Sequence, residues 1–444
     1  MNVDKKNVDW LSKGDVDALS KLRSLWISKL YIRYFKKLPF MQKSAIWLWK
    51  YGYPFYLRHF KVKSMSVGAA HLVNISRFVS SIGGESYKLI SKEYVHTPFP
   101  EVFPKKDRSY LSSPHEGYEF PEVEVSLIND AVAFGGTNMV VCGSVVLCHD
   151  LFDPEKDYTS EELHGRAFIR PKGMQIDWLV DPQNIPILSR AAIFVDACAP
   201  NYAHWMTEVL PRIYVYCREP KFKNIPIVVN DGLHTNIIRS LKLVVGDERP
   251  IIRLRQGSAL KLDELQFVSA TGYVPFDRRI KLKAGHSHGL FSPTAMVGLS
   301  RFLQSKCLSD REKSENSKIY LKRNSGIRLV RNSEAIERQL VSRGFKVVEP
   351  EKLSFDEQVQ IFSKAEVLVA SSGAALANII FCPPGAEIYI LMSKFRDTSY
   401  WYWQNIACAT GNVVKYVLGP AVKGGAIGIH SDFEIEDLSF IETL

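Results

Sequence analysis

A histidine and a glutamate stand four residues apart in the segment that runs from Asn201 to Arg212. If that segment is a helix, His204 and Glu208 lie on one face of it. A carboxylate one turn away orients an imidazole and raises its basicity, as a general base requires; Glu208 acting as the base itself is the other catalytic possibility. A pair that only pins the helix is a third interpretation. A metal site is disfavoured, because the two side chains have no evident third ligand.

Cations cluster in a second segment, where a predicted strand at residues 319–321 enters a loop. Lys322, Arg323, Arg328 and Arg331 place four cations within ten residues. Two fixed guanidinium groups suit bidentate contacts with a diphosphate. An exposed basic loop without a ligand is the alternative.

The third candidate is a turn of small residues at 371–375, between a predicted strand and a predicted helix. There Ser372, Gly373 and Ala374 can present backbone N–H groups to a phosphate-sized anion, and Asn378 lies one turn into the helix. Small residues that only permit close helix–strand packing are the alternative. The chain has neither a Gly-x-x-x-x-Gly-Lys-Ser/Thr nor a strand-linked Gly-x-Gly-x-x-Gly motif, which disfavours a P-loop ATPase and a dinucleotide dehydrogenase.

The elements that must position these side chains alternate between strand and helix. Residues 345–391 follow this alternation strictly, with Ser354 predicted to cap one of the helices. A similar alternation marks residues 191–268, while residues 122–151 hold short β-type runs punctuated by glycine. Such alternation is typical of a parallel α/β sheet, whose ligand sites lie at the carboxyl ends of the strands. The cations and the small-residue turn are therefore predicted to converge.

Composition indicates a globular protein large enough for two domains. The chain has 444 residues, of which 46% are hydrophobic and 23% are charged. Its seven cysteines are scattered and lack metal-ligand pairs, which favours a reduced, cytosolic compartment. No signal peptide and no run of eighteen apolar residues is evident, so we expect no membrane-spanning helix.

The positive charge is concentrated near the N-terminus. Between Ala18 and Gly84 there are twelve Lys or Arg and no Asp or Glu, so the net charge of +10 leaves −2 for the rest. Large aromatic residues are interleaved with these cations, which predicts binding of residues 21–63 to an anionic membrane surface. An arm that packs on the protein itself ranks second. Nucleic acid ranks last, because no nucleic-acid-binding fingerprint accompanies the patch.

Several short motifs follow one another between about residues 122 and 416. They are Asn201-Tyr202-Ala203-His204-Trp205 with Glu208 and Leu210-Pro211-Arg212; Arg323, Arg328 and Asn332-Ser333-Glu334; Leu353-Ser354-Phe355 with Glu357-Gln358, Phe362 and Ala365; and Ser371-Ser372-Gly373-Ala374-Ala375-Leu376-Ala377-Asn378 with Phe381 and Pro384-Gly385. In order and spacing, the chain resembles glycosyltransferase family 61, once catalogued as a domain of unknown function. We expect a bacterial-type member.

The resemblance implies a fold, a reaction and a set of site residues. The fold is α/β of the GT-B type, with two facing Rossmann-like domains. The reaction is an inverting sugar transfer, typically from a UDP-sugar bound mainly by the C-terminal domain, with no essential metal and no cofactor. The donor-side residues implied are Arg323, Arg328, Ser372, Gly373, Ala374 and Asn378. His204 and Glu208 fall on the acceptor side, with Asn201, Trp205 and Arg212.

The predicted organisation has four parts. They are a basic aromatic N-terminal arm (1–84); an acceptor-side domain (85–309) with a β-rich entry (119–151) and an α/β region (191–309); a linker (310–318); and a nucleotide-sugar-binding domain (319–444). Two departures from the family concern the donor. Many relatives have His where Ser372 stands, and relatives often have Glu near the position of Ile390, so the nucleotide or sugar preference is open.

The predicted function is sugar transfer to a glycan or lipid-linked glycan during cell-surface polysaccharide synthesis, such as that of capsule or lipopolysaccharide. The expected location is cytoplasmic and peripheral, on the inner face of a bacterial cytoplasmic membrane. The alternative is a non-catalytic module that binds a nucleotide-sugar or an anionic glycan. No nucleic-acid partner is expected.

Overall fold

The computed structural model describes residues 66–111, 116–163, 167–179, 185–275, 277–279, 289–308, 317–323, 328–395, 401–422 and 431–444. The strands, in chain order, are β1 (Ser66–Asn74), β2 (Ser86–Ile90), β3 (Glu93–His96), β4 (Glu101–Phe103), β5 (Gly117–Phe120), β6 (Val123–Phe134), β7 (Val140–Cys142), β8 (Val145–Cys148), β9 (Asp157–Tyr158), β10 (Ala167–Arg170), β11 (Gln175–Leu179), β12 (Ile187–Ile193), β13 (Ile227–Asn230), β14 (Ile251–Leu254), β15 (Ala259–Val268), β16 (Gly272–Tyr273), β17 (Asp277–Arg278), β18 (Leu290–Phe291), β19 (Ser317–Leu321), β20 (Lys346–Val348), β21 (Ala365–Ser371), β22 (Glu387–Lys394) and β23 (Val413–Pro420).

The helices lie mainly between the later strands. The α-helices are Ile75–Ser81, Ser160–Leu163, Tyr202–His204, Leu210–Arg218, Thr235–Val245, Pro293–Cys307, Ser333–Ser342, Phe355–Phe362 and Trp401–Thr410. A π-helical turn spans Trp205–Val209. The 3₁₀ helices are Lys105–Tyr110, Pro171–Gly173, Pro220–Phe222, Pro350–Lys352, Ala374–Phe381 and Ser439–Thr443.

Within the described residues, eleven strands form one large mixed sheet. Its main order is β10-β11-β1-β8-β7-β6-β15-β12-β13-β14, and β2 pairs with β6. The strands β15, β12, β13 and β14 are mutually parallel, and β6 joins them antiparallel through a long register with β15. The predicted β-rich entry is therefore part of the same sheet as the α/β region that follows it.

Six described strands form a second, all-parallel sheet in the order β20-β19-β21-β22-β23-β4. Its central strands are buried, apolar runs with helices around them, as expected for a parallel sheet covered on both faces. The helix Phe355–Phe362 begins at the predicted cap: Ser354 accepts from the Glu357 N–H while the Glu357 side chain returns to the Ser354 N–H. Such a cap stabilises a helix by about 1 kcal/mol.

The predicted elements of residues 345–391 are confirmed, with one difference. The segment after Gly373 is a 3₁₀ helix over Ala374–Phe381 and not an α-helix. Its side chains are buried from Leu376 to Phe381, so packing on both sides accounts for the tighter winding better than local propensity does.

The two sheets are joined by β4, which comes from the first third of the chain. Glu101–Phe103 pairs in parallel with Lys415–Val417 at the edge of the second sheet. A continuous set of buried apolar side chains also runs from the helices of residues 202–245 to those of residues 355–409. These contacts place the carboxyl ends of the two parallel strand sets near the same interface.

Residues 66–84 of the predicted N-terminal arm form β1 and the helix Ile75–Ser81, and β1 pairs with β8 and β11 of the large sheet. The rest of the arm, including residues 21–63, lies outside the described residues. In the parts of the chain that are described, no helix has both the length and the apolar character needed to cross a membrane. The GT-B arrangement and the domain ranges stay predictions.

Candidate active site

The predicted histidine–glutamate pair is present at the carboxyl ends of β12 and β15. His204 Nδ1 and Glu208 Oε1 are 2.5 Å apart, and the Val274 N–H donates to Glu208 Oε2 at 3.2 Å. Both carboxylate oxygens of Glu208 are thus engaged. The His204 side chain keeps 21% of its surface accessible, so its other nitrogen, Nε2, is the atom that can meet a substrate hydroxyl. Between the two predicted bases, this geometry favours His204.

The helix that carries the pair is not a regular α-helix. The π-helical turn Trp205–Val209 closes with a Leu210 N–H bond to the carbonyl of Trp205, five residues back. Pro211 explains the wider turn, because it has no N–H for the carbonyl of Thr207 and its ring would crowd that carbonyl in an α-helix. A single π turn in this position is a common feature of functional sites.

The backbone of β16 packs closely against the π-helical turn. A Cβ at Gly272 would overlap the carbonyl oxygen of Thr207, so only glycine lets β16 lie this close. Val274, whose N–H holds Glu208, follows two residues later. The glycine therefore helps set the position of the acid that orients His204.

The pKa values of the pair reflect burial and mutual attraction. Burial alone would lower the pKa of His204, but the charge of Glu208 and the hydrogen bond to it outweigh that effect and raise the pKa above 6.5. Burial raises the pKa of Glu208, and His204 opposes that shift. When His204 is neutral with its proton on Nδ1 facing Glu208, Nε2 is a free acceptor for a hydroxyl proton.

Arg323, from the predicted cation cluster, lies against the small-residue turn at the carboxyl ends of β19 and β21. A Cβ added at Gly373 would overlap Arg323 Nη1, so this guanidinium lies directly against the glycine. Ala374, the first residue of the 3₁₀ helix, is exposed. The first N–H groups of a helix have no partner within it, so this end favours an anion.

Arg323 and Arg328 lie close enough to repel each other. Burial lowers the pKa of Arg328, and the charge of Arg323 lowers it further. Burial also lowers the pKa of Arg323, which Glu351 partly offsets. Arg328 has a left-handed backbone with φ 57°, a conformation that costs energy for a residue with a Cβ and is often kept at functional sites. A bound anion would relieve the repulsion between the two guanidinium groups.

Asn378 lies deeper than the predicted donor wall. Its side chain is fully buried, accepts from the Tyr202 hydroxyl at 2.6 Å and donates to Gln358 Oε1 at 2.7 Å. Asn378 therefore does not face a ligand. It ties the 3₁₀ helix of the second sheet to the helix that carries His204, so it couples the two halves of the candidate site.

Three other predicted site residues have structural roles in the fold. Trp205 has no accessible surface and donates its indole N–H to Ser240 at 2.9 Å, so it anchors the helix in the core and does not face an acceptor. Asn201 caps the helix by accepting from the Ala203 N–H. Ser372 is buried, and its N–H donates to the Leu391 carbonyl, so its backbone donor is used by the sheet.

Arg212, predicted on the acceptor side, lines a cavity of about 70 Å³ that Glu208 also lines. The cavity contains Asp196 and His149, which the sequence analysis did not single out. Asp196 follows β12 and His149 follows β8, so the rule that ligand sites lie at carboxyl ends of parallel strands pointed to Asp196. Among the described residues, no group of three or more His, Cys, Asp or Glu is arranged to hold a metal ion.

Residues 202–389 match the model of the family described as Glycosyltransferase 61. The matched segment begins at the helix of His204 and includes Arg323, Arg328 and the 371–375 turn. No curated protein gave a significant match to the chain. The family match supports the resemblance drawn from the motifs and implies glycosyltransferase activity in general, with a sugar donor and an acceptor.

Proposed function

We propose that this protein is an inverting, metal-independent glycosyltransferase that uses a nucleotide-sugar, with UDP as the first nucleotide to test. The observation that carries the proposal is the guanidinium of Arg323 against Gly373, at the exposed start of the helix Ala374–Phe381. Arg328 adds a second cation close by. Two guanidinium groups beside a helix N-terminus are suited to the charge of a diphosphate.

The second support is the link between that anion site and the candidate base. The hydrogen bond from Tyr202 to Asn378 joins the two helices two residues before His204. A reaction that needs a diphosphate leaving group and a general base requires both groups in one cleft. Sugar transfer to a hydroxyl is such a reaction.

In the proposed mechanism, Nε2 of His204 takes the proton of an acceptor hydroxyl as its oxygen attacks the anomeric carbon. The new glycosidic bond forms as the bond from the anomeric carbon to the diphosphate breaks on the opposite face. Arg323, Arg328 and the N–H groups of Gly373 and Ala374 stabilise the charge that develops on the departing diphosphate. The products are an inverted glycoside and a nucleoside diphosphate.

We further propose a glycan or lipid-linked glycan acceptor, in cell-surface polysaccharide synthesis. The basic aromatic segment 21–63 supports a peripheral position on the inner face of a bacterial cytoplasmic membrane, because such segments attract anionic lipid.

The test is a thermal-shift screen of the full chain against UDP, GDP, CDP, CMP, ADP and TDP, with and without EDTA. A ligand that binds only the native state raises its apparent stability. We expect one nucleotide to stabilise the wild type without dependence on EDTA, and we expect Arg323→Ala to lose that shift. Arg343→Ala, which removes the same charge from an exposed position of the same half, is the matched control.

If no nucleotide of the panel stabilises the protein, the proposed donor site is contradicted and a glycan-binding module is favoured. Stabilisation that disappears with EDTA would contradict metal independence. Stabilisation retained by Arg323→Ala would show that the nucleotide binds elsewhere.

A further inference from the structure

A second candidate site lies beside Glu208, in what we call the Arg212 cavity. It lies at the carboxyl ends of β12 and β15, and its principal polar residues are Asn138, His149, Asp196, Arg212 and Tyr273. At 10–15 Å³ per water, a volume of about 70 Å³ holds roughly five to seven waters, which is the scale of one sugar ring.

Arg212 is the strongest evidence for a ligand. It is only 3% exposed, and within the part of the chain that the structure describes neither Nε nor Nη2 has a hydrogen-bond partner. Its guanidinium carbon lies 5.9 Å from the ring centroids of both Phe194 and Phe267. Buried N–H groups without hydrogen-bond partners cost free energy, so a fold rarely keeps them without a use.

His149 supplies a second unsatisfied group in the same cavity. Its ring is buried against Tyr273 at 4.7 Å between centroids, and Nδ1 has no partner among the described residues. Burial, followed by the charge of Arg212, lowers the pKa of His149 to about 4, so the ring is neutral near pH 7. A neutral imidazole and a guanidinium together offer both kinds of hydrogen bond that a hydroxyl needs.

The charges around the cavity disfavour an anion. The charged residues that line it are Glu161, Asp196, Glu208 and Arg212. One cation faces three carboxyl groups, of which Glu208 is shared with His204. Asp196 is already satisfied by the Asn138 amide at 2.9 Å and the Cys198 N–H at 2.8 Å. Uncharged hydroxyl groups fit this mixture of donors and acceptors.

We propose that the Arg212 cavity is an acceptor subsite that binds one uncharged sugar ring of the acceptor. All of its lining residues lie between 138 and 274, so it belongs to the half of the chain opposite the proposed diphosphate site. Glu208 lines the cavity and also binds Nδ1 of His204, so the cavity and the candidate base share this carboxylate. This inference rests on the proposed glycosyltransferase function.

Two substitutions in the cavity test whether its unsatisfied groups bind a sugar. Arg212→Met keeps the length of the side chain but removes the buried guanidinium whose Nε and Nη2 have no hydrogen-bond partner among the described residues. Because Arg212 also offsets the negative charges of Asp196 and Glu208, its removal is expected to lower the melting temperature, and binding is compared only between samples shown to be folded. His149→Phe, which keeps the aromatic packing and removes the unsatisfied nitrogen, is the second variant.

The experiment uses the full chain and saturation-transfer NMR with methyl glucopyranoside, galactopyranoside, mannopyranoside and xylopyranoside, with methyl glucuronide as the charged counterpart. UDP binding to wild type and Arg323→Ala is measured on the same samples. We expect at least one neutral glycoside to bind more tightly than the glucuronide. Arg212→Met and His149→Phe should each weaken that binding about tenfold or more. The exposed Arg218→Met, on the same helix, should not.

The outcomes distinguish the subsite from the proposed function. UDP binding that depends on Arg323, without binding of any neutral glycoside, would overturn the subsite and leave the function standing. Tighter binding of the glucuronide, or full binding by Arg212→Met, would also overturn it. Binding of glycosides that depends on Arg212, without binding of UDP, would keep the cavity as a sugar site and overturn the transferase.

Discussion

Replacing Gly373 with alanine tests the proposed diphosphate site with one methyl group. The backbone at Gly373 is extended, with φ 175° and ψ 167°, so alanine adopts it without strain. The new Cβ would overlap Arg323 Nη1, and the guanidinium must move away from the helix end. The loss of one charge-assisted hydrogen bond to a phosphate costs about 1.5–3 kcal/mol, which weakens binding of the nucleotide by about ten- to hundredfold.

The assay is calorimetric titration of the nucleotide that the thermal-shift screen selects, into wild type, Gly373→Ala, Arg323→Ala and the double variant. If alanine acts only by displacing Arg323, the double variant should bind no worse than Arg323→Ala alone. The melting temperature of Gly373→Ala should stay close to that of wild type, because an arginine side chain can swing away without disturbing the core.

Two results would refute this reasoning. Unchanged affinity in Gly373→Ala would show that the position of Arg323 against the glycine is irrelevant to the ligand. An effect of alanine that persists in full in the Arg323→Ala background would show that the methyl group blocks the ligand directly.

Three further predictions follow from the site and the N-terminal segment. Catalysis needs neutral His204, whose pKa is raised, so the acid limb of the kcat/KM profile should lie above pH 6.5. Glu208→Gln removes the charge that raises this pKa, so burial should then lower the pKa and shift the limb to lower pH. The same variant should lower kcat by about ten- to hundredfold. If Glu208 were the base, this variant would be inactive at every pH. Asn378→Ala leaves the Tyr202 hydroxyl and Gln358 Oε1 without the hydrogen bonds that Asn378 makes to them, so urea denaturation should show a loss of unfolding free energy of about 1–3 kcal/mol per group. An unchanged midpoint would contradict the bridge. Full-length protein should bind anionic liposomes more strongly than a chain lacking residues 1–63, increasingly so at low salt, and equal partitioning would remove the support for a membrane position.

Local patterns in the sequence determined much of the second sheet. The alternation of residues 345–391, the cap at Ser354 and the strand ends beside Arg323 and Ser372 depend on neighbours in the chain, so they can be recognised without a fold. The i, i+4 spacing likewise placed His204 against Glu208. The parallel-strand rule then brought Arg323 and Gly373 together, because both follow strands that are neighbours in one sheet.

What the tertiary structure decided concerns contacts between residues far apart in sequence. Tyr202 and Asn378 are 176 residues apart, and no local pattern shows that they bond or that Asn378 is buried away from the ligand. The same holds for β4, which crosses to the second sheet, and for the burial of Trp205. The unsatisfied Arg212 can be recognised only after its surroundings are known, since hydrogen-bond satisfaction depends on every neighbour that packing brings near. Sequence determined which groups are available for chemistry; packing determined which of them are already engaged in the fold and which remain open to a ligand.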